Sequence, residues 1–358
     1  MNNGGPLSID TCFSYDLPDN FIAQRPIFPP AAARLLVDQN TDNLPKDLTF
    51  KDLPGLLTNK DLLIFNNSKV IPVRLFGELE SGRKVEIFLV REVRKDCWIA
   101  MGKPLKVLRS GVVVKIYGDL LDVRVVERSG EMEVVVELFS KTEQSVVELL
   151  NHVGTMPIPP YIRDGMGDDQ DKLDYQTIFA KNSGSIAAPT ASLHFDPELI
   201  AKIDEVGVSR AEVTLHVGVA SVLPLWRPGQ GKEELTPPAG ERCVVPEKTI
   251  SEIAACRARG GRVIAVGTTV VRALESVAQN NVLVGDNSSD KETELFITPG
   301  HIFRNVDVMI TNFHQPRSTH LLLVEAFIGR PRLSKIYNHG LSHGYRFLSY
   351  GDGMILFR

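Results

Sequence analysis

Three histidines lie in turns or at the ends of apolar runs in the second half of the chain, and histidine is the side chain best suited to proton transfer near neutral pH. His194 lies in the small-residue stretch NSGSIAAPTASLHF, His216 ends the apolar run EVTLHV, and His314 lies in the turn NFHQP. Each histidine alone could be a hydrogen-bonded core residue. Three of them at three predicted strand ends form a candidate acid/base set.

Small and hydroxyl-bearing residues accompany these histidines. Gly184 and Ser185 lie in the stretch before His194, and Gly267, Thr268 and Thr269 separate a buried apolar run from a helical pattern. Because such residues carry little bulk, backbone N–H groups there can approach a ligand or an anion. The same residues also make tight turns and helix N-caps, so the pattern alone leaves both interpretations open.

Cationic and aromatic residues stand at two further turns. Lys69 and Arg74 follow the polar turn Asn66-Asn67-Ser68, and the segment YRFLSYGD contains Arg346 and Tyr350. Exposed cations are usually only solvated, but beside small polar turns they also suit phosphate groups. An aromatic ring near a cation usually packs in the core, although it can also stack on a nucleic-acid base.

The elements that must position these residues alternate between strand and helix patterns. Asp196-Pro197 predicts a helix start, Gly207 predicts its end, and buried runs such as RVIAV and VDVMIT precede further helices. This alternation predicts an α/β fold with a mostly parallel sheet covered on both faces. Ligands of such sheets bind at the carboxyl ends of the strands, where the histidines and small turns fall.

A different sequence pattern replaces this alternation between residues 73 and 139. Short β-branched runs such as KVEIFLV and EMEVVVELF are separated by turns such as SGR and RSG. Closely spaced strands without a helical period predict a small antiparallel barrel. We therefore expect an inserted β-barrel domain at residues 73–150, with residues 1–72 and 151–358 forming one large α/β domain.

Composition narrows the class of protein. The net charge is 40 − 44 = −4, so contact with a nucleic acid requires a local patch of cations. Four scattered cysteines without CxxC spacing predict neither a disulfide framework nor a zinc site. Neither a basic-then-apolar start nor a membrane-length apolar run is present, so we expect a cytoplasmic protein, with no membrane partner and no metal. We also expect a monomer.

The chain resembles the S-adenosylmethionine:tRNA ribosyltransferase-isomerase family of queuosine biosynthesis. Long motifs carry the resemblance in order along almost the whole chain: YDLP…IAQRP, DLLIFNNSKVIPVRLFG, MPIPPYI, DYQTIFA…GSIAAPTASLHF, VTLHVG, VIAVGTTVVRALES, ITPG…VDVMITNFHQPRST and YRFLSYGDGM. The resemblance implies a large α/β domain with an inserted β-barrel. It also implies transfer of the ribosyl moiety of S-adenosylmethionine, a co-substrate, to 7-aminomethyl-7-deazaguanine in the anticodon region of tRNA.

The resemblance also suggests roles for the candidate residues. Acid/base work would fall to His194, His216 and His314, and Arg272 would clamp the methionyl carboxylate. Lys69, Arg74 and Arg346 would contact phosphates, and Tyr350 a base. The remaining polar groups of the co-substrate would meet Gly184, Ser185, Thr190, Gly267, Thr268, Thr269 and Asn312.

Two segments depart from the family pattern. Residues 220–222 read Ala-Ser-Val, and residues 235–241 contain no histidine and keep only Glu241 as an acidic counterpart. These departures keep two alternatives open beside the epoxyqueuosine-forming enzyme. One is a paralogue that uses S-adenosylmethionine on another acceptor, and the other is a non-catalytic protein that binds tRNA or a nucleotide.

Overall fold

The chain folds into two units, each with its own β-sheet. The computed structural model describes residues 12–41, 43–130, 132–218, 240–278 and 292–358. The larger unit contains the described parts of Met1–Lys69, Gln176–Asn182 and Ala188–Arg358. The smaller unit contains those of Val70–Tyr175 and Ser183–Ala187.

Strands and helices of the described residues are numbered here in chain order. The strands are β1 (Arg34–Asp38), β2 (Lys46–Thr49), β3 (Leu62–Asn66), β4 (Ser68–Val70), β5 (Arg74–Glu78), β6 (Lys84–Arg94), β7 (Cys97–Lys103), β8 (Val113–Ile116), β9 (Leu121–Ser129), β10 (Glu133–Ser140), β11 (Asn182–Ser185), β12 (Ser209–Leu215), β13 (Glu241–Val244), β14 (Val263–Val266), β15 (Glu292–Thr293), β16 (Val308–Asn312) and β17 (Gly353–Phe357). The α-helices are α1 (Val146–Val153), α2 (Asp171–Asp174), α3 (Pro197–Val206), α4 (Glu247–Ala258), α5 (Thr268–Ala278), α6 (Thr319–Ile328) and α7 (Arg330–Ser342).

The sheet of the larger unit has nine strands in the order β15-β13-β12-β3-β14-β16-β17-β1-β2. The pairs β12–β3, β3–β14, β14–β16 and β17–β1 are parallel. The pairs β15–β13, β13–β12, β16–β17 and β1–β2 are antiparallel. The α/β class is confirmed, but the sheet is mixed, so the prediction of a mostly parallel sheet is wrong.

Both sides of the sheet contribute to its mixed character: β13 and β15 pair antiparallel at one side, and strands from the two ends of the chain do so at the other. After β16 the chain forms α6 and α7 and returns as β17, which pairs antiparallel with β16 through Val308↔Phe357 and Asn312↔Gly353. The strand β1 then pairs parallel with β17, and β2 folds back on β1. The four central strands remain parallel because α4 precedes β14 and α5 precedes β16, as helical crossovers require.

Burial explains why the central strands read as continuous apolar runs. Every residue of β3, β14 and β16 is buried, as expected for strands covered on both faces. On one face of the sheet, Phe50 and Leu53 from a 3₁₀-helix pack in a cluster with Phe65, Phe195 and Leu199. This packing places the short 3₁₀-helix Thr190–His194 beside the sheet.

The helix start predicted at Asp196-Pro197 is confirmed by cap geometry. The Asp196 side chain accepts a hydrogen bond from the backbone N–H of Leu199 at 2.8 Å, and α3 ends at Gly207 with φ of 82°. Ser318 caps α6 in the same way, accepting from the N–H of Leu321 at 3.2 Å. These caps satisfy N–H groups that have no partner inside the helix.

The sequence also predicts a strand at ELFIT, residues 294–298, and this prediction is wrong. The strand β15 comprises Glu292–Thr293, and the following residues are irregular. The backbone carbonyls of Thr293 and Leu295 accept hydrogen bonds from the guanidinium of Arg272, at 3.5 and 3.1 Å. A side chain therefore takes the place of a neighbouring strand at these carbonyls.

The smaller unit contains a closed β-barrel in the order β10-β7-β6-β5-β8-β9. Buried residues alternate with exposed ones along β8 and with half-buried ones along most of β10, because successive side chains point to opposite faces. The predicted β-barrel is confirmed. The helix α1, which Ser145 caps, belongs to the same unit. The domain limits 73–150 stay a prediction.

Some predictions fall on parts of the chain that are not described. Two segments that depart from the family pattern are affected. Residues 220–222 and 235–239 lie outside the described residues, whereas Gly240 and Glu241 are described. Among the described residues, no helix has the length and apolar character needed to span a bilayer. The four cysteines are buried, and none of them forms a disulfide.

Candidate active site

The carboxyl ends of four adjacent parallel strands, β12, β3, β14 and β16, lie side by side. We call this row of strand ends the strand edge. Asn66 is the last residue of β3, and Asn312 is the last of β16. His216 directly follows β12, and Gly267 directly follows β14. Because β12, β3, β14 and β16 are parallel neighbours, this edge is the place where the α/β fold brings polar residues from distant parts of the chain together.

Asn66 links two of these strand ends, although the sequence suggested only a turn residue. Its Nδ2 donates to the carbonyl of Leu215 at 2.9 Å, and its Oδ1 accepts from the N–H of Leu215 at 3.0 Å. The same Nδ2 lies 3.4 Å from Oγ1 of Thr269. Asn66 therefore fixes the end of β12 and contacts the first turn of α5.

The turn from β14 into α5 depends on Gly267. Its φ is +99°, a conformation that residues with a side chain rarely adopt, and its N–H donates to the carbonyl of Ile310 at 2.7 Å. Thr268 is buried, Thr269 is half-buried, and both begin α5. The first N–H groups of a helix attract negative charge, so the start of α5 supplies an anion-binding geometry at this edge.

Arg272, one turn further along α5, is engaged by a carboxylate of the chain itself. Its Nη1 donates to Oε2 of Glu241, and Oε1 of Glu241 accepts from the N–H of Gly218 at 2.8 Å. The two side chains are 13% and 3% exposed, so the ion pair is buried. Arg272, which was expected to bind a carboxylate of the ligand, therefore already binds the carboxylate of Glu241.

His216 has one buried ring nitrogen that the described residues leave without a hydrogen-bond partner. Its backbone N–H donates to the carbonyl of Arg242 at 2.9 Å, but its Nδ1 takes part in no hydrogen bond with the described residues. Burial, with the nearby charge of Arg242, lowers the pKa of His216 to about 4. The ring is therefore neutral at pH 7 and carries one proton and one lone pair.

His194 is buried and faces Asn312. Its Nε2 lies 3.2 Å from Nδ2 of Asn312, which also donates to the carbonyl of Leu348 at 3.1 Å. Since the amide group is the donor, Nε2 accepts and Nδ1 holds the proton. The ring stacks on Phe50 at 4.2 Å, and burial, with the charge of Arg346, lowers its pKa to about 3. This arrangement leaves Oδ1 of Asn312 buried and without a partner among the described residues.

The ring of His314 stacks on the ring of a second histidine, His320. Nε2 of His314 lies 2.9 Å from Oγ1 of Thr311, and the centroids of the two rings are 5.3 Å apart. Burial and the proximity of His320 lower the pKa of His314 well below its usual value. Burial and the charge of Arg272 lower the pKa of His320 to about 4. Both rings are therefore neutral at pH 7.

Two tyrosines hold the backbone of His314. Its N–H donates to the hydroxyl of Tyr337 at 2.9 Å, and its carbonyl accepts from the hydroxyl of Tyr15. The two tyrosine rings contact each other at 4.9 Å, and burial raises the pKa of both hydroxyls. The loop after β16 is thereby fixed on both sides of the peptide.

The remaining expected ligand residues lie in different settings. Thr190 is half-buried at the start of the 3₁₀-helix that ends with His194. Gly184 and Ser185 belong to the smaller unit. Gly184 is exposed with φ of +138°, and the hydroxyl of Ser185 donates to the carbonyl of Ala187 at 2.7 Å.

The residues expected to meet phosphates and a base differ in accessibility. Lys69 is exposed, and Arg74, in the smaller unit, donates from Nε to Oε1 of Glu86 at 2.6 Å. Arg346 donates to a backbone carbonyl, and its charge lies near His194. The side chain of Tyr350 is only 3% exposed, whereas stacking on a base requires an accessible ring face.

The structure adds residues that the sequence interpretation did not assign to the site. Asn66, Thr311 and Tyr15 each hold a strand end or a site histidine, and His320 stacks on His314. A signal was present for two of them, because Asn66 and Thr311 are polar residues inside otherwise apolar buried strands. Such residues need a hydrogen-bond partner, and here the partners belong to the site.

Comparisons with known proteins agree along almost the whole chain. A family model described as "Queuosine biosynthesis protein" matches residues 11–356. A relative from Anaeromyxobacter dehalogenans (strain 2CP-C), named S-adenosylmethionine:tRNA ribosyltransferase-isomerase, is 43% identical over 349 residues, which cover 97% of this chain and 98% of the relative. A relative of the same name from Rhodospirillum rubrum is 41% identical over 344 residues, 96% of each chain.

A solved structure is similar to the chain as well. The crystal structure of an S-adenosylmethionine tRNA ribosyltransferase from Thermotoga maritima aligns with a TM-score of 0.52 and 30% identity. The alignment covers 96% of this chain and 99% of that chain. The similarity therefore spans both units.

Proposed function

Since the chain belongs to the queuosine biosynthesis protein family, we propose that it transfers the ribosyl moiety of S-adenosylmethionine to 7-aminomethyl-7-deazaguanine in tRNA and isomerises it. Epoxyqueuosine is the product, and adenine and methionine are released. One observation carries the proposal: relatives named for this activity are 41% and 43% identical over 96% and 97% of the chain.

The reaction needs a base, a proton donor and fixed dipoles. The sulfonium of S-adenosylmethionine acidifies the neighbouring 5′ carbon, so a lone pair must accept a proton there. Departing adenine needs a proton or a hydrogen-bond donor, and developing oxygen charge needs fixed N–H or hydroxyl groups. The strand edge offers neutral imidazoles, hydroxyls and a helix start, which suit these tasks.

Acid/base work is assigned to His216 and His314. Lowered pKa values keep both rings neutral at pH 7, and a neutral ring holds the lone pair that a base needs. The free Nδ1 of His216 makes it the first candidate for the base. His194, expected from the sequence as a third catalytic residue, acts through Asn312 as a positioning residue.

The co-substrate's polar groups are assigned to the same edge of the sheet. Because Arg272 already holds Glu241, the methionyl carboxylate is better received by the N–H groups at the start of α5, near Thr268 and Thr269. The unpartnered Oδ1 of Asn312 is an acceptor and fits an amino group of S-adenosylmethionine. Thr190 and Gly267 are the other residues of the larger unit proposed for substrate binding, and the assignment of Gly184 and Ser185, in the smaller unit, stays a prediction from the sequence.

The nucleic-acid partner is proposed as the anticodon region of a tRNA that carries the deazaguanine base. With a net charge of −4, attraction to phosphates must come from local cations, for which Lys69, Arg74 and Arg346 are proposed. We propose a monomer acting in the cytoplasm, where tRNA is modified. Light scattering of the purified chain tests the monomer directly.

A single assay tests the function. The full chain is incubated with S-adenosylmethionine and tRNA bearing 7-aminomethyl-7-deazaguanine, and adenine and the modified nucleoside are measured by chromatography and mass spectrometry. Release of adenine together with epoxyqueuosine supports the proposal. Release only with another acceptor would indicate a paralogue, and tRNA binding without any release would indicate a non-catalytic protein; either result overturns it.

A further inference from the structure

A cluster of metal-ligating side chains lies apart from the strand edge described above. Asp47 of β2 and the histidines His339 and His343 at the end of α7 each offer one ligand atom. These three atoms lie within 4.8 Å of one another. Asp47 and His343 are exposed, so an ion from solvent can reach the cluster.

The spacing of the two histidines suits one shared ion. Residues at positions i and i+4 lie on the same face of a helix, and the two imidazole rings are parallel, 3.9 Å apart. Nε2 of His339 lies 3.0 and 3.1 Å from the two oxygens of Asp47. The ligand-to-ligand edge around a tetrahedral zinc ion is roughly 3.3 Å, so these atoms need little movement to share an ion.

Neighbouring groups orient two of the three ligands. The hydroxyl of Tyr345 donates to Oδ1 of Asp47 at 2.6 Å, which fixes the carboxylate. Nδ1 of His343 lies 2.9 Å from the carbonyl of His339, so the donated proton sits on Nδ1 and Nε2 carries the lone pair. Metal-binding histidines and carboxylates are usually held by such outer hydrogen bonds.

The ligand types limit the class of ion. Two imidazoles and one carboxylate suit borderline ions such as Zn²⁺, Ni²⁺ or Cu²⁺ better than Mg²⁺ or Ca²⁺, which prefer oxygen. One cation competes nearby, since the guanidinium of Arg34 lies 3.4 Å from Oδ1 of Asp47. Arg34 also lies over the ring of Tyr345 and donates to the carbonyl of His343, so it is held in place.

We propose that Asp47, His339 and His343 form a site for one divalent transition-metal ion, with Zn²⁺ as the representative. The ion would join the outer strand β2 to the end of α7. It is independent of the proposed transfer reaction, because none of its ligands is assigned to the strand edge. Its role is to stabilise the outer edge of the large sheet.

The test uses the full chain after removal of metals with a chelator. Titration with ZnCl₂ alone, followed by calorimetry, should show a site for a single ion, and Zn²⁺ at a hundredfold excess over Kd should raise the Tm by about 3–4 °C. His339→Ala and His343→Ala should each weaken binding by at least about 10-fold. Tyr345→Phe keeps all three ligands and should weaken binding by about 10-fold through loss of the hydrogen bond to Asp47.

The matched control is His152→Ala, which removes an exposed histidine of α1 and should leave zinc affinity unchanged. Because His343 is exposed at the end of α7, its variant should keep the fold, and circular dichroism without metal checks this. Wild-type zinc affinity in folded His343→Ala would overturn the proposal. An unchanged Tm of the wild-type chain with saturating zinc would do the same.

Discussion

Buried histidines that are neutral at pH 7 are the main groups for proton transfer at the strand edge. Burial lowers the pKa of His216 and of His320 to about 4, and that of His314 well below its usual value. Such rings are ready to accept a proton at pH 7, but they are weak bases. The proposed reaction fits this property, because the sulfonium of the co-substrate supplies much of the acidity.

Removing either proposed acid/base residue should slow the chemistry. We expect His216→Ala and His314→Ala each to lower the rate of adenine release by about 100-fold, the usual effect of one general acid or base. Single-turnover adenine release measures the effect, and the Tm of each variant serves as the folding control. Near wild-type rates in both folded variants would remove these rings from the mechanism.

The buried ring of His194 should make stability depend on pH. Its folded pKa of about 3 lies below the unfolded value of about 6.5, so between these values only the unfolded state binds the proton. The free energy of unfolding should therefore fall as the pH is lowered from 6.5 towards 3. Urea unfolding at pH 7 and pH 4.5 should show a smaller fall in His194→Gln, and equal falls would contradict the assignment.

The ion pair of Arg272 and Glu241 should contribute strongly to stability when one partner is removed. We expect Glu241→Gln to lower the free energy of unfolding by about 3–5 kcal/mol, because it leaves a charge buried without a counter-ion. The matched control is Asp204→Asn, which breaks the exposed pair with Arg210 and should cost less than about 1 kcal/mol. Urea unfolding measures both, and equal small losses would show that Arg272 is solvated.

At the scale of elements, the site depends on how strands pass into helices. The strand β14 ends, Gly267 turns the chain, and α5 begins at once with Thr268. This short passage places the start of α5 beside the end of β3, where Asn66 contacts Thr269. The geometry of the turn therefore sets the geometry of the proposed anion site.

A side chain at Gly267 should damage this turn. A Cβ atom there would make only ordinary contacts at 3.6 and 3.7 Å, so the cost of Gly267→Ala comes from its φ of +99°. We expect a loss of about 1–3 kcal/mol in unfolding free energy and a raised KM for S-adenosylmethionine. Gly55→Ala, where φ is not in this region and no atom lies within 4 Å, should change neither quantity. Equal effects of the two variants would contradict this explanation.

At the scale of the whole molecule, an acidic chain is proposed to bind a polyanion. The net charge of −4 gives no overall attraction, so affinity for tRNA must depend on a few cations. Lys69 is exposed and available, whereas Arg74 is partly neutralised by Glu86. We therefore expect Lys69 to contribute more to phosphate binding than Arg74.

The salt dependence of tRNA binding should show the difference between Lys69 and Arg74. Each phosphate contact contributes about −0.7 to the slope of log K against log salt, so a few contacts give a slope of about −2 to −4. Lys69→Ala should make the slope shallower by about 0.7, and Arg74→Ala, the matched control, should change it less. Filter binding at several salt concentrations measures the slope. A slope steeper than about −6 would place the tRNA on a different surface.

Local patterns in the sequence were sufficient for much of the fold. The caps Asp196 and Ser318 and the end of α3 at Gly207 follow from side-chain hydrogen bonds and backbone conformation within a few residues. The barrel followed from repeated short strands, and the strand-end positions of His216 and His314 followed from the alternation of strands and helices. The caps and the helix end depend on interactions between near neighbours in the chain, and the strands could be recognised from local patterns before their partners were known.

Long-range packing decided the rest. The antiparallel return of β17, the loss of the strand predicted at residues 294–298, and the pairing of Arg272 with Glu241 join residues that are far apart in the sequence. The same holds for the contact of His339 with Asp47, 292 positions apart. The sequence by itself determined which side chains could do chemistry and roughly which strand ends present them. Only the tertiary structure decided which of those side chains are already held by a partner, because hydrogen bonds and ion pairs depend on distances that the order of residues does not specify.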